Sequence, residues 1–150
     1  MLVSEILNIK GKVLYTVAPH QTLQDAIDTM VEQDIGSLVV FEGGVMVGML
    51  TFREMLAAVH KAGKGWREAK VADAMIGKPC VATLDMDVNR LQRMMVDHHQ
   101  RYLPVIEGTT LLGVVSFHDV AKAMLEEQGF ENKMLKSYIR NWPEESNEGK

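Results

Sequence analysis

The chain contains one pattern twice. Leu38 falls on Leu103 and Gly48 on Gly113, and the same offset of 65 residues aligns 16–56 with 81–121 without a gap. The identities are Met30/Met95, Val31/Val96, Leu38/Leu103, Val40/Val105, Glu42/Glu107, Gly43/Gly108, Gly48/Gly113 and Phe52/Phe117, with conservative pairs such as Leu50/Val115, Thr51/Ser116 and Glu54/Asp119 between them. Self-similarity at a fixed period marks repeated supersecondary units that bury their apolar faces on one another. Upstream, VSEIL at 3–7 matches VADAM at 71–75 at an offset of 68, so the first copy carries three extra residues around 8–12.

Each copy reads as strand, helix, strand, strand, helix. A short strand, 14–17 or 80–84, meets a turn at Pro19 or Asp85. Thr22 and Asp87 are the expected N-caps, because a short oxygen-bearing side chain accepts from the orphan N–H groups of a helix start. Leu23, Ala26, Ile27, Met30 and Val31, like Val88, Leu91, Met94 and Met95, then recur at the spacing of one helical face to about Gln33 and His98. SLVVFE with VMVGMLT, and YLPVIE with LLGVVS, are strand pairs joined by turns at Gly43-Gly44 and Gly108. A second helix is expected after Phe52 and Phe117.

A unit of about 60 residues buries only a marginal fraction of its surface. The copies are therefore expected to pack sheet to sheet about a pseudo-two-fold axis. Two equivalent clefts then open between them, with the strand-to-helix junctions at Thr51 and Ser116 at the mouths. The divisions fall at 1–60 and 71–127, with KAGKGWREAK, 61–70, as linker.

At those junctions GVVSFHDV places Ser116 three residues before Asp119, and GMLTFREM repeats the arrangement with Thr51 and Glu54. One reading is a capping box, which satisfies donors at a helix start. The other is a ligand grip. A carboxylate one turn into a helix can accept from two vicinal ribose hydroxyls, and the free N–H groups and positive dipole end beside it favour a phosphate. Both roles can hold at once. The added methylene of Glu54 moves its carboxylate outward by about a bond length and a half, so the first cleft is expected to be the weaker or to stay empty.

The doubled pattern, YLPVIEGTTLLGVVSFHD, and the run of Gly, two apolar residues, Ser/Thr, two variable residues and Asp closely resemble the tandem cystathionine-beta-synthase (CBS) domain pair, or Bateman module, over residues 1–127. The likeness is more specific in the second copy. It implies an α/β (α+β) fold of two β-α-β-β-α repeats with a C-terminal helical extension. It also implies an adenosine-containing ligand, such as AMP, ADP, ATP, NAD(H) or S-adenosylmethionine, between the repeats. Such modules regulate an attached or partner protein, and stand-alone pairs form homodimers. By the same resemblance Asp119 holds the ribose and Ser116 the ribose or a phosphate. Backbone groups of Tyr15, Thr16 and Val17, and of Val81, Ala82 and Thr83, face the adenine, with walls from Ile35, Leu38, Leu103 and Pro104. Arg53, its repeat partner His118, and Arg101 are the candidate phosphate ligands. A solvated surface charge is the alternative for each cation, and most wall residues would be core in any case.

AMP or ATP is the expected ligand, with no metal and no catalysis. No nucleophile-base pair or phosphate-cradling glycine loop appears in the sequence. A small nucleotide-hydrolysing enzyme and a structural dimerisation module with empty clefts are the competing classes. The 16 Lys and Arg against 20 Asp and Glu, a net charge of -4, provide no basic field for nucleic acid. Apolar runs are strand-sized rather than the roughly 20 residues of a membrane span. Cys80 is the only cysteine, so no intramolecular disulfide forms, and with no signal-like start the cytoplasm is the expected compartment. Cys80 itself reads as a small buried hydrophobe, and His98 and His99 diverge by about 100° on a helix, which argues against zinc.

Gly129 is expected to break the last helix of the second copy. After it, Phe130, Met134, Leu135, Tyr138, Ile139 and Trp142 form one stripe in a helix over 128–142, suited to folding back or to a two-fold interface. Pro143 ends that helix, and 143–150 reads as a disordered tail.

Overall fold

A computed structural model describes residues 1–11 and 14–140. Helix α1 (Val3–Lys10) leads into strand β1 (Thr16–Val17), α2 (Leu23–Gln33), the hairpin β2 (Ser37–Glu42) and β3 (Val45–Thr51), and α3 (Phe52–Ala62). A 3-10 turn (Gly63–Glu68) connects to α4 (Val71–Ala74) and α5 (Val88–Asp97), followed by the hairpin β4 (Tyr102–Glu107) and β5 (Thr110–Ser116), then α6 (Phe117–Arg140). The result is an α+β fold with one three-stranded and one two-stranded sheet.

The repeat is visible bond by bond. Thr22 and Asp87 cap α2 and α5 through hydrogen bonds from Asp25 N–H and Asn89 N–H. Both hairpins slip register at the same place, between Val40 and Phe41 and between Val105 and Ile106. Before the slip, Leu38 and Val40, or Leu103 and Val105, face one side, as the alternation of a strand requires. These residues anchor two separate cores. Leu23, Leu38, Val40 and Leu50 lie in the first, and Leu91, Leu103, Val105 and Val115 in the second. Val39 and Pro104, on the opposite strand faces, are buried as well, so each sheet is covered on both sides.

The short upstream helices are exchanged. Val3 and Ile6 of α1 belong to the second core, while Val71 of α4 belongs to the first. Val3 N–H donates to Met86 carbonyl at 2.9 Å and Ser4 N–H to Leu84 at 3.0 Å; the counterparts are Val71 to Gln21 at 2.9 Å and Ala72 to Pro19 at 3.0 Å. Two glycines admit these helices. A Cβ on Gly48 would stand 2.8 Å from Met75 Sδ, and one on Gly113 would stand 3.2 Å from Leu7 Cδ2. Similar apolar strings at 3–7 and 71–75 thus fill equivalent grooves, each on the opposite copy.

Two expectations are corrected, for the strand at 80–84 and the break at Gly129, and the linker proves to be packed. The strand at 80–84 reduces to a single parallel bridge, Ala82 with Val105, because Thr83 turns away, its hydroxyl bonded to Asp85 at 2.7 Å and its carbonyl to Met86 N–H. The second copy is therefore α-β-β-α with one bridge in place of its first strand. The 61–70 connection is ordered structure: its 3-10 turn packs Trp66 against the first core, with the Arg67 guanidinium 4.7 Å from the indole centre. Finally, α6 runs unbroken through Gly129, since one glycine costs a helix only about 1 kcal/mol and Glu126, Glu127 and Gln128 before it favour helix. The side chains of Phe130, Met134, Leu135, Tyr138 and Ile139 lie outside the described ones. Trp142, Pro143 and the 143–150 tail lie outside the described residues. Among the described residues no helix is long and apolar enough to cross a membrane.

Candidate functional site

Two clefts open between the copies, each made from a strand-to-helix junction of one and a helix-to-strand turn of the other. The cleft at Ser116 has a volume of about 330 Å³ and is lined by Val114, Ser116 and Tyr102 together with Lys10, Leu14, Tyr15 and the turn Asp34, Ile35, Gly36, Ser37. The cleft at Thr51 measures about 660 Å³; there Thr51, Phe52, Arg53, Glu54, Leu56 and Ile76 face Met95, Val96, Phe117 and the turn His99, Gln100, Arg101, Tyr102. The two turns are repeat partners, and Asp34 and His99 occupy them with the same left-handed φ of 54°. In volume, the cleft expected to be the poorer one is the larger.

At the Ser116 junction the capping arrangement is complete. Asp119 N–H donates to Ser116 Oγ at 3.0 Å, and Ser116 N–H donates to Asp119 Oδ2 at 2.8 Å. Lys10, the last residue of α1, adds its ammonium: Nζ lies 2.7 Å from Asp119 Oδ2 and 2.7 Å from the Val114 carbonyl. The Asp119 side chain is 19% exposed, and its Oδ1 accepts no hydrogen bond among the described residues. Partial burial pushes this carboxyl up, but the hydrogen bonds from Lys10 and Ser116 and the Lys10 charge outweigh it, holding Asp119 below its ordinary value.

At the Thr51 junction the longer side chain behaves differently from the outward displacement expected of it. Glu54 curls back so that Oε1 accepts from Thr51 N–H at 3.0 Å and from the Thr51 hydroxyl. The cations there are Arg53, whose Nη1 donates to the His99 carbonyl at 2.9 Å, and Arg101, stacked 5.9 Å from the Phe52 ring centre.

Tyr102 lines both clefts and forms the wall between them. Its ring meets Phe52 edge to face at 6.2 Å, and only a glycine at 36 leaves room for it, since a Cβ there would overlap the phenol. Burial pushes the Tyr102 phenol above its ordinary value; Arg101 opposes this and Asp119 adds to it.

Of the residues expected to bind, Ser116 and Ile35 line the smaller cleft with Asp119 bonded at its rim, and Thr51, Arg53, Glu54 and Arg101 line the larger. Tyr15 also lines the smaller cleft, and the rest are absent from the lining of either. Thr16 and Val17 pair in parallel with Val39 and Val40, with Val17 in the core. Leu103 is a fully buried core residue, and the Pro104 carbonyl accepts from Ala82 N–H. Val81 and Thr83 face solvent, as does His118. The alternation of β4 explains the walls, because with Leu103 turned inward the cleft-facing residue is Tyr102. Lys10 and Tyr102 are the site residues that repeat spacing missed. For Lys10 one signal existed, since the three extra residues of the first copy fall at 8–12. No group of three or more His, Cys, Asp or Glu among the described residues could hold a metal ion.

The family model described as "CBS domain" matches residues 3–61 and 71–126. The chain is 29% identical over 147 residues to "CBS domain-containing protein CBSX3, mitochondrial" of Arabidopsis thaliana, covering 92% of this chain and 71% of that one. A solved CBS-domain containing protein from Agrobacterium tumefaciens superimposes with a TM-score of 0.80 at 30% identity, over 83% of this chain and 99% of its own. The CBS domain pair of protein MJ0100, in complex with 5′-methylthioadenosine and S-adenosyl-L-methionine, shares the fold with a TM-score of 0.75 at 19% identity, over 85% of this chain and 98% of its own.

Proposed function

Because the chain belongs to the CBS domain family, with both of its repeats matched, we propose that it is a regulatory module that binds an adenosine ligand of the AMP, ADP or ATP class in the Ser116 cleft. The observation that carries this reading is the state of Asp119. Its carboxylate stands at the N-terminus of α6, at the rim of a cleft and held below its ordinary pKa, with one oxygen that accepts no hydrogen bond among the described residues. A ribose hydroxyl can donate to that oxygen, and the Ser116 hydroxyl lies beside it. The positive end of α6 favours a phosphate nearby. The nucleoside-bound fold relative supports the ligand class, although 19% identity transfers only the architecture. The groups assembled here are hydrogen-bond partners and a cation, which suits binding and release rather than turnover. In this reading the module works as a homodimer and passes its occupancy to another protein.

The test is thermal unfolding with AMP, ATP, NADH and S-adenosylmethionine. A ligand at about 100 times its Kd adds about 2.7 kcal/mol, which raises the Tm of a chain this size by roughly 5 to 10 °C. A flat response to all four ligands overturns the reading, and release of product from ATP would move the protein to the enzyme class.

A further inference from the structure

We infer that Lys10 is a specificity-determining residue of the Ser116 cleft, selecting ligands that carry an anionic phosphate beside the ribose over neutral nucleosides and over the cationic sulfonium of S-adenosylmethionine. The inference rests on the proposed use of that cleft by an adenosine ligand. It starts from a placement that neither the motif nor the repeat supplies. Lys10 comes from the opposite copy, at the C-terminal end of α1, and is the cation among the residues that line this cleft. Two of its three ammonium hydrogens point at the Val114 carbonyl and at Asp119 Oδ2, which fixes the charge at the rim beside Ser116. The third donor has no partner among the described residues and can serve a ligand.

A ribose that donates to Asp119 Oδ1 brings its 5′ substituent within a few bond lengths of this ammonium. A phosphate there gains a charge-assisted hydrogen bond, a neutral hydroxyl or thioether gains little, and a sulfonium meets a like charge. The opposing group is Asp34, which lines the same cleft from the turn across it. Asp34 and Lys10 are both solvent-exposed, so both fields are screened, but Lys10 is held at the rim by two partners. Among the described residues no lysine lines the Thr51 cleft.

Calorimetric titration of the full chain with AMP, adenosine, 5′-methylthioadenosine and S-adenosylmethionine tests this. Wild type is expected to bind AMP at least about tenfold tighter than the other three, the scale of a hydrogen bond between charged groups. Lys10→Met should remove that preference by weakening AMP alone, and Lys10→Arg should restore most of it. If Lys10→Met does not fold, the wild-type ranking and its loss with rising salt decide the matter. Equal wild-type affinities, or an equal change for all four ligands in Lys10→Met, overturn the role of Lys10 and leave the adenosine site standing. Binding of none of the four by wild type overturns the site and the inference with it.

Discussion

Lys10 Nζ stands 2.7 Å from Asp119 Oδ2, an ion pair that joins the end of α1 to the start of α6 across 109 residues of chain. The pair holds the Asp119 carboxyl below its ordinary value of 3.8. Its contribution is therefore fully present above that value and is lost as pH falls through the depressed one. Asp119→Ala should lower stability at pH 7 by roughly 1 to 2 kcal/mol, counting the cap and a partly exposed ion pair. The deficit should begin to narrow below about pH 4, where the unfolded chain takes up the proton, and close as pH falls through the depressed value of the folded wild type. Urea midpoints at pH 7 and pH 3 check this.

Gly36→Ala should destabilise the fold by about 1 to 3 kcal/mol, because the new methyl meets the Tyr102 phenol, with Cζ at 2.9 Å. Removing the hydroxyl relieves part of the overlap. The double variant with Tyr102→Phe should lose less than the two single losses combined, a coupling that denaturant unfolding can measure.

Ile6→Ala should cost about 2 to 5 kcal/mol, as for other large-to-small changes in a core. Amide exchange should then accelerate across 82–123 before 16–55, although position 6 belongs to the first copy. Val71→Ala should show the reverse order. Acceleration within the copy that carries the substitution would contradict the exchanged helices.

His99 adopts a φ of 54° at the turn that closes α5. A side chain in this region costs about 1 to 2 kcal/mol relative to glycine, partly offset by the freedom glycine regains when unfolded. His99→Gly should therefore raise the Tm by about 1 to 3 °C, and His99→Val should lower it, by scanning calorimetry. Arg53 is bonded to the backbone carbonyl of residue 99, so that contact survives both changes.

Local features were legible in the sequence wherever a short-range rule decides them. The caps at Thr22 and Asp87 and both hairpins follow from residues within a few positions of one another. Features set by distant partners were not. The string at 3–7 matches 71–75, but nothing in that match says that each packs on the opposite copy. Lys10 reads as a solvated charge at a helix end until Asp119 is brought to it. Leu103 and Tyr102 are neighbours in a strand, and only the direction of the sheet decides which of them faces the cleft. Gly129 misled because a breaker acts only where the surrounding helix is weak.

The exchange of α1 and α4 has a consequence for the chain as an object that could be divided. A polypeptide carrying one unit would have an unfilled groove and a helix with no groove of its own, and two such molecules would cure each other's defect by trading helices. Severing the peptide within 63–70 should therefore leave two fragments that stay clasped, since each has donated part of its interior to its neighbour.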